Sequence, residues 1–149
     1  MLDLVLAILH HLLVFGLLAI LTAELMLVRK GMDAAAVRRV GAMDLAYGAV
    51  AGLILLVGFA RAGMAAKGWA YYGHNGFFWA KVAVFLLIGL LSVPPTVAYF
   101  RWKKAGAAPG DADVAGVRRF LHAEAALFVL LPIFAAAMAR GYGQLPPSG

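Results

Sequence analysis

Lys81 stands about one turn inside an otherwise apolar run, Phe77-Phe78-Trp79-Ala80-Lys81-Val82-Ala83-Val84-Phe85-Leu86-Leu87-Ile88-Gly89-Leu90-Leu91. A cation at the centre of a membrane-crossing helix costs ~2.5–3.5 kcal/mol on insertion scales. Such a group therefore faces a bundle interior or snorkels along its own stem to the surface. The residues at a matching depth on another helix are His10 and His11. Neutral imidazole is a ligand for haem iron, zinc or copper, and otherwise simply a buried hydrogen-bonding group. Adjacent helical residues point about 100° apart, so only one of the pair aims at the bundle axis. Glu24 lies roughly 40° from the direction of His10, which favours His10 as the interior residue if Glu24 also faces inward. His74 sits in a connection beside Tyr71 and Tyr72, either as a lid over His10 or as an ordinary loop histidine.

A second group of ionisable residues is Glu24, Asp44, His122 and Glu124, with Arg38, Arg39, Arg118 and Arg119 nearby. At similar depth on three helices they suit a proton relay, a metal site or a salt-bridge network that fixes bundle geometry. His122 and Glu124 are two residues apart and point to different faces, so they do not form a helical ligand pair. The chain has no cysteine, which excludes disulfides, thiolate zinc sites and cysteine nucleophiles. It also has no Ser/His/Asp catalytic pattern, phosphate-binding loop or zinc-protease motif.

These residues have to be positioned by membrane helices. Of 149 residues, 64% are hydrophobic and 13% charged, against about half and a quarter in a soluble domain. The excess is gathered into four runs, which predicts an all-α, four-transmembrane-helix bundle in one integral membrane domain over residues 1–149. The expected helices cover 4–28, 34–61, 77–100 and 114–139, each long enough for a ~30 Å hydrocarbon core at 1.5 Å per residue. Asp33 is the expected N-cap of the second helix, and the fourth starts after Asp113. Pro94-Pro95 is expected to kink or break the third, and Pro132 to kink the fourth. Gly48 and Gly52 form a G-x-x-x-G pair that lets another backbone approach. The glycines between Gly63 and Gly76 break helix, and Trp69, Tyr71, Tyr72 and Trp79 form an interfacial aromatic belt. The N-terminal run, lacking a basic n-region and carrying Asp3, reads as a retained helix rather than a cleaved leader.

The net charge of +6 is concentrated at helix ends, so the lipid bilayer rather than nucleic acid is the expected partner. The connections after the first and third helices hold Arg29, Lys30, Arg38, Arg39, Arg101, Lys103, Lys104, Arg118 and Arg119. The other side holds only Arg61, Lys67 and Arg140. The positive-inside rule then puts both basic connections in the cytoplasm and both termini outside, across a bacterial inner membrane. Asp33-x-x-x-Val37-Arg38-Arg39-x-x-x-x-Asp44 is echoed at Asp113-x-x-x-Val117-Arg118-Arg119-x-x-x-x-Glu124. The echo reflects either two parallel hairpin repeats or two helices with the same capping and snorkelling needs.

In layout, with His10-His11-Leu12-Leu13-Val14-Phe15 in the first helix and Phe78-Trp79-Ala80-Lys81-Val82 in the third, the chain resembles a bacterial family of small membrane proteins of unknown function. More distantly it is similar to the HemJ-type protoporphyrinogen oxidases and to the membrane domain of CopD-type copper proteins. The HemJ resemblance implies haem b, with its first-helix His mapping to His10 or His11 and its third-helix Lys to Lys81. The chain lacks that family's first-helix tryptophans, and it has Pro94-Pro95 where the family has a polar stretch. The resulting expectation is a haem b or metal site between the outer halves of the first and third helices, with one histidine on the iron, Lys81 pairing a propionate, and redox chemistry. The alternatives are a non-enzymatic accessory or scaffold subunit, with a homo-oligomer or a membrane protein as partner, and an oligomeric transporter.

Overall fold

In the computed structural model, residues 1–64 and 68–145 are described. Lys67, counted above on the outer side, and the last four residues of the tail lie outside them. The chain forms α1 (Leu2–Leu27), α2 (Ala34–Met64), the short α3 (Gly68–Gly73), α4 (Gly76–Ala105), α5 (Asp111–Phe128) and α6 (Leu130–Ala139). Four segments are long and apolar enough to cross a membrane: α1, α2, α4, and α5 with α6 taken together. Apolar side chains such as Leu12, Phe15, Leu56 and Leu90 stay exposed, as expected of helices whose outer surface meets lipid rather than water.

The packing is a ring. α1 borders α2 and α5, and α4 borders α2, α5 and α6; α1 and α4 occupy diagonal corners, with no backbone approach within 8 Å. Between them lies a core that includes Leu17, Leu21, Ile54, Ile88, Phe128 and Leu131, each at most 7% exposed. His10 and Lys81 therefore reach toward each other across the bundle rather than along a shared helix interface.

Several local expectations are met. Asp33 Oδ1 accepts the Ala36 N–H at 2.7 Å as the N-cap of α2. Beyond its expected end at 100, α4 continues to Ala105 and is closed by Gly106, whose left-handed φ of +66° lets its N–H reach the Trp102 and Lys103 carbonyls. The fourth span is interrupted at Val129, one turn before Pro132, whose missing N–H cannot serve the Phe128 carbonyl.

Others need correction. α4 runs unbroken through Pro94-Pro95. Two adjacent prolines cost only the bonds to the Leu90 and Leu91 carbonyls, and membrane helices tolerate that when neighbours and hydroxyl side chains compensate. Ser92 Oγ donates to the Gly89 carbonyl at 2.8 Å and the Thr96 hydroxyl lies 3.0 Å from the Ser92 carbonyl, so these contacts brace the turn without serving the freed Leu90 and Leu91 carbonyls. α5 begins at Asp111, capped by Gly110. Asp113 therefore lies inside the first turn and pairs with Arg101 at 3.4 Å rather than capping. The stretch expected to be loop contains α3. Gly48 and Gly52 face outward, and a Cβ at either would meet nothing within 4 Å, so they mediate no close approach inside this chain.

The outer end is closed by the tail. Asn75, fully buried, caps α4 through Oδ1, which accepts from Phe77 N (3.0 Å) and Phe78 N (3.2 Å). Its Nδ2 donates to the Tyr142 carbonyl at 2.9 Å. Gly76 N to Gly143 O and Leu145 N to His74 O, both 2.8 Å, complete a single antiparallel bridge. Gly143 makes this possible: its φ is +81°, and a Cβ there would lie 2.5 Å from Phe77 Cδ2.

Candidate functional site

Polar side chains gather at two levels of the bundle interior. His10 and Glu24 are 14 residues apart on α1, about 21 Å at 1.5 Å per residue. The apolar core residues named above fill the space between the levels. They separate the two polar groups with an apolar layer rather than joining them in one relay.

At the outer level, His10, Gly58, Arg61, Tyr72, Phe78, Lys81 and Met138 line a small cavity of about 30 Å³. His10 turns inward and His11 outward, where His11 Nδ1 lies 2.6 Å from the Ala7 carbonyl. The two rings stand at 89° to each other with centroids 6.3 Å apart, so they do not converge on one ligand. His10 Nδ1 is buried without a hydrogen-bond partner. The absence of a side chain at Gly58 makes room for the ring, since a Cβ there would sit 3.3 Å from His10 Cε1. Lys81 Nζ lies 5.7 Å from the Phe78 ring centroid, a cation–π contact one turn back on its own helix. Arg61 Nε meets Asp3 Oδ1 at 3.7 Å. Trp69, Phe78 and Trp79 pack edge to face above, and Trp79 Nε1 donates to the Gly73 carbonyl at 2.9 Å. His74 is exposed and bonds locally to the Ala70 carbonyl, so it is not a lid over His10.

This outer space tests the haem expectation. A cavity of about 30 Å³ admits one water-sized group, whereas cofactor pockets run to hundreds of Å³. A haem does not fit between His10 and Lys81. Among the described residues, no trio of His, Asp or Glu is arranged to hold a metal ion.

At the inner level three carboxyl groups converge from three helices: Glu24 of α1, Asp44 of α2 and Glu124 of α5, 2%, 7% and 1% exposed. Glu24 is within electrostatic reach of both others. Tyr47 donates to Glu124 Oε2 at 3.1 Å, and Thr96 to Asp44 Oδ1 at 2.8 Å. Tyr99, stacked on Trp102 with centroids 5.7 Å apart, approaches Glu24 without closing a hydrogen bond of 3.5 Å or less. Four buried polar atoms are left without a partner: Glu24 Oε1, Glu124 Oε1, the Tyr99 hydroxyl and Trp102 Nε1. His122, expected in this group, is a correction. It is exposed, bonds through Nδ1 to the Arg118 carbonyl at 2.6 Å, and lies on the opposite face of α5 from the side Glu124 presents to the core.

Of the four arginines expected near these acids, Arg118 is committed elsewhere. Arg118 reaches from α5 to the end of α1, where one of its terminal nitrogens donates to the carbonyls of Leu25 (2.8 Å) and Val28. α1 has no basic residue in its own last turn, and Arg118 supplies the missing positive charge at the negative end of the helix dipole. Arg38 and Arg39 are exposed. No ion pair of 4.0 Å or less joins Glu24, Asp44 or Glu124 to a basic group among the described residues.

The sequence reading missed Tyr47, Thr96 and Trp102. The signal was three-residue spacing, from Asp44, already singled out, to Tyr47, and along α4 from Thr96 to Tyr99 to Trp102, which makes neighbours on a helix surface. It also missed Arg61 as a wall of the outer cavity and Asp3 as its ion-pair partner, because they lie at opposite chain ends of their helices.

A family model described as "Predicted membrane protein (DUF2214)" matches residues 2–143. No curated protein and no solved structure matches the chain, so the likeness to HemJ-type and CopD-type proteins gains no support.

Proposed function

We propose that this chain, which belongs to the DUF2214 family of predicted membrane proteins, takes up and releases protons at the acidic centre formed by Glu24, Asp44 and Glu124. What supports the reading is one observation: three carboxyl groups from three helices share a buried site with no basic partner among the described residues. An unpaired ionised carboxylate in such an interior costs several kcal/mol, so the centre's charge has to be neutralised by protons or by a bound cation. With no metal-holding trio there, the proton is the neutralising species this reading adopts.

The hydroxyls fit the task. Tyr47 and Thr96 already donate to one oxygen of Glu124 and one of Asp44. The open Oε1 atoms of Glu24 and Glu124 are the positions left for a proton. A hydroxyl such as that of Tyr99 donates to a carboxylate or accepts from a carboxylic acid by rotating its O–H, without a change of fold. The apolar layer toward His10 and Lys81 closes the outer route, so exchange runs to the end where α1 exits. In this reading that end faces the cytoplasm of a bacterial inner membrane and both termini face outward.

Parallel potentiometric titrations of the protein and of Glu24→Gln and Glu124→Gln, in the same detergent, test this. The expected result is that each amide variant folds and loses a titrating group from the range over which the parent stays folded. Identical proton uptake in parent and variants, together with lower melting temperatures, would leave the acids as a structural network in an accessory subunit.

A further inference from the structure

At the end of the bundle where α1 exits, Arg29, Lys30, Arg118, Arg119 and His122 line an open groove of about 720 Å³ over Val114 and Ala115. We infer that this groove is a binding site for the phosphodiester headgroup of an anionic phospholipid. Its polar lining carries four permanent cations and no carboxylate. Of the acids of the adjoining connections, Asp33 caps α2, Asp113 pairs with Arg101, and Asp111, exposed in the first turn of α5, is not part of the lining. The volume lies in the range of small-ligand sites, roughly 300–1,000 Å³.

Placement selects a lipid over a soluble anion. Arg29 and Lys30 directly follow Leu27 and Val28, the last apolar residues of the span, so the groove sits where headgroups meet hydrocarbon. Met26, beside it on α1, is 74% exposed and offers an apolar surface for an acyl chain. The groove floor of Val114 and Ala115 is likewise apolar. Arg118 is anchored on the α1 carbonyls and holds one wall in place, while Arg119 and Lys30 are exposed and free to close on a phosphate. Arginine suits this because its planar fork matches two phosphate oxygens at once.

The test is retention of phosphatidylglycerol by the purified full chain in native mass spectrometry, with affinity read from melting temperature as the lipid is titrated into detergent. The parent is expected to retain the lipid and to prefer it to phosphatidylcholine of the same acyl chains. Lys30→Gln/Arg119→Gln is expected to bind about 30-fold more weakly, from ~1 kcal/mol per basic residue at the surface and 1.4 kcal/mol per tenfold. Arg38→Gln/Arg39→Gln removes the same charge outside the groove and is expected to leave affinity unchanged. Equal affinity for phosphatidylcholine, an equal loss in the second double variant, or saturation by inorganic phosphate alone would each overturn the assignment.

Discussion

Arg118→Met is expected to destabilise the protein by about 3 kcal/mol. Each charge-assisted hydrogen bond to a carbonyl contributes ~1.5–3 kcal/mol, and its loss leaves the acceptor unserved. Arg118 makes two of them, to Leu25 and Val28, at a helix end that has no other basic residue in its last turn. Methionine keeps most of the apolar stem, so lost packing contributes little. At roughly 2–4 °C per kcal/mol for a chain of this size, the melting temperature in detergent falls by about 6–12 °C. Arg118→Lys is expected to fall between the two, because an ammonium keeps the charge without the fixed fork. A melting temperature within about 1 °C of the parent for Arg118→Met would mean that the interhelix clamp is energetically idle.

The second large effect is expected at Asn75. Asn75→Ala removes the α4 cap, which costs ~1 kcal/mol, and strands the Tyr142 carbonyl, which costs a further ~1–3 kcal/mol. The sum is about 3 kcal/mol, expressed at the outer end because the lost bonds tie residues 142–145 to the start of α4. Trypsin cleavage after Arg140, which is exposed, reads this out, since release of the tail frees the backbone around it. Cleavage is expected to accelerate in Asn75→Ala. Asn75→Asp keeps the capping oxygen and loses the Nδ2 donor, so its α4 start should hold while its tail loosens. Unchanged cleavage in both variants would mean that the tail is held by other contacts.

The sequence made the helices legible because lipid imposes a simple demand: a long apolar run closed by charge at each end. Asp33 as a cap and Pro132 as an interruption followed from local backbone chemistry. Pro94-Pro95 did not behave as local chemistry suggests: α4 continues through both prolines with only two intrahelical bonds forgone. At the site, helix periodicity set His10 and His11 on different faces and likewise Glu124 and His122, although His122 was still grouped with the inner acids. It could not show that α1 and α4 stand at diagonal corners, which leaves only a water-sized space between His10 and Lys81. Nor could it show that Arg118 serves backbone carbonyls instead of Glu24, because carbonyls carry no residue signature. The arginines near the acids suggested pairing, and the fold withdraws the partner. This is why the inner acids, rather than the histidine–lysine pair, become the focus of the proposed chemistry.

The central claim is that Glu24, Asp44 and Glu124 form a centre that changes its proton content. Infrared difference spectroscopy of the detergent-solubilised protein between two pH values, at which circular dichroism shows the same fold, tests it most directly. The expected result is a carboxylic-acid carbonyl band that exchanges with a carboxylate band, shifts in deuterated water, and is reduced in Glu24→Gln and in Glu124→Gln. A difference spectrum without a carboxylic-acid band, or with one that both variants leave unchanged, would contradict it.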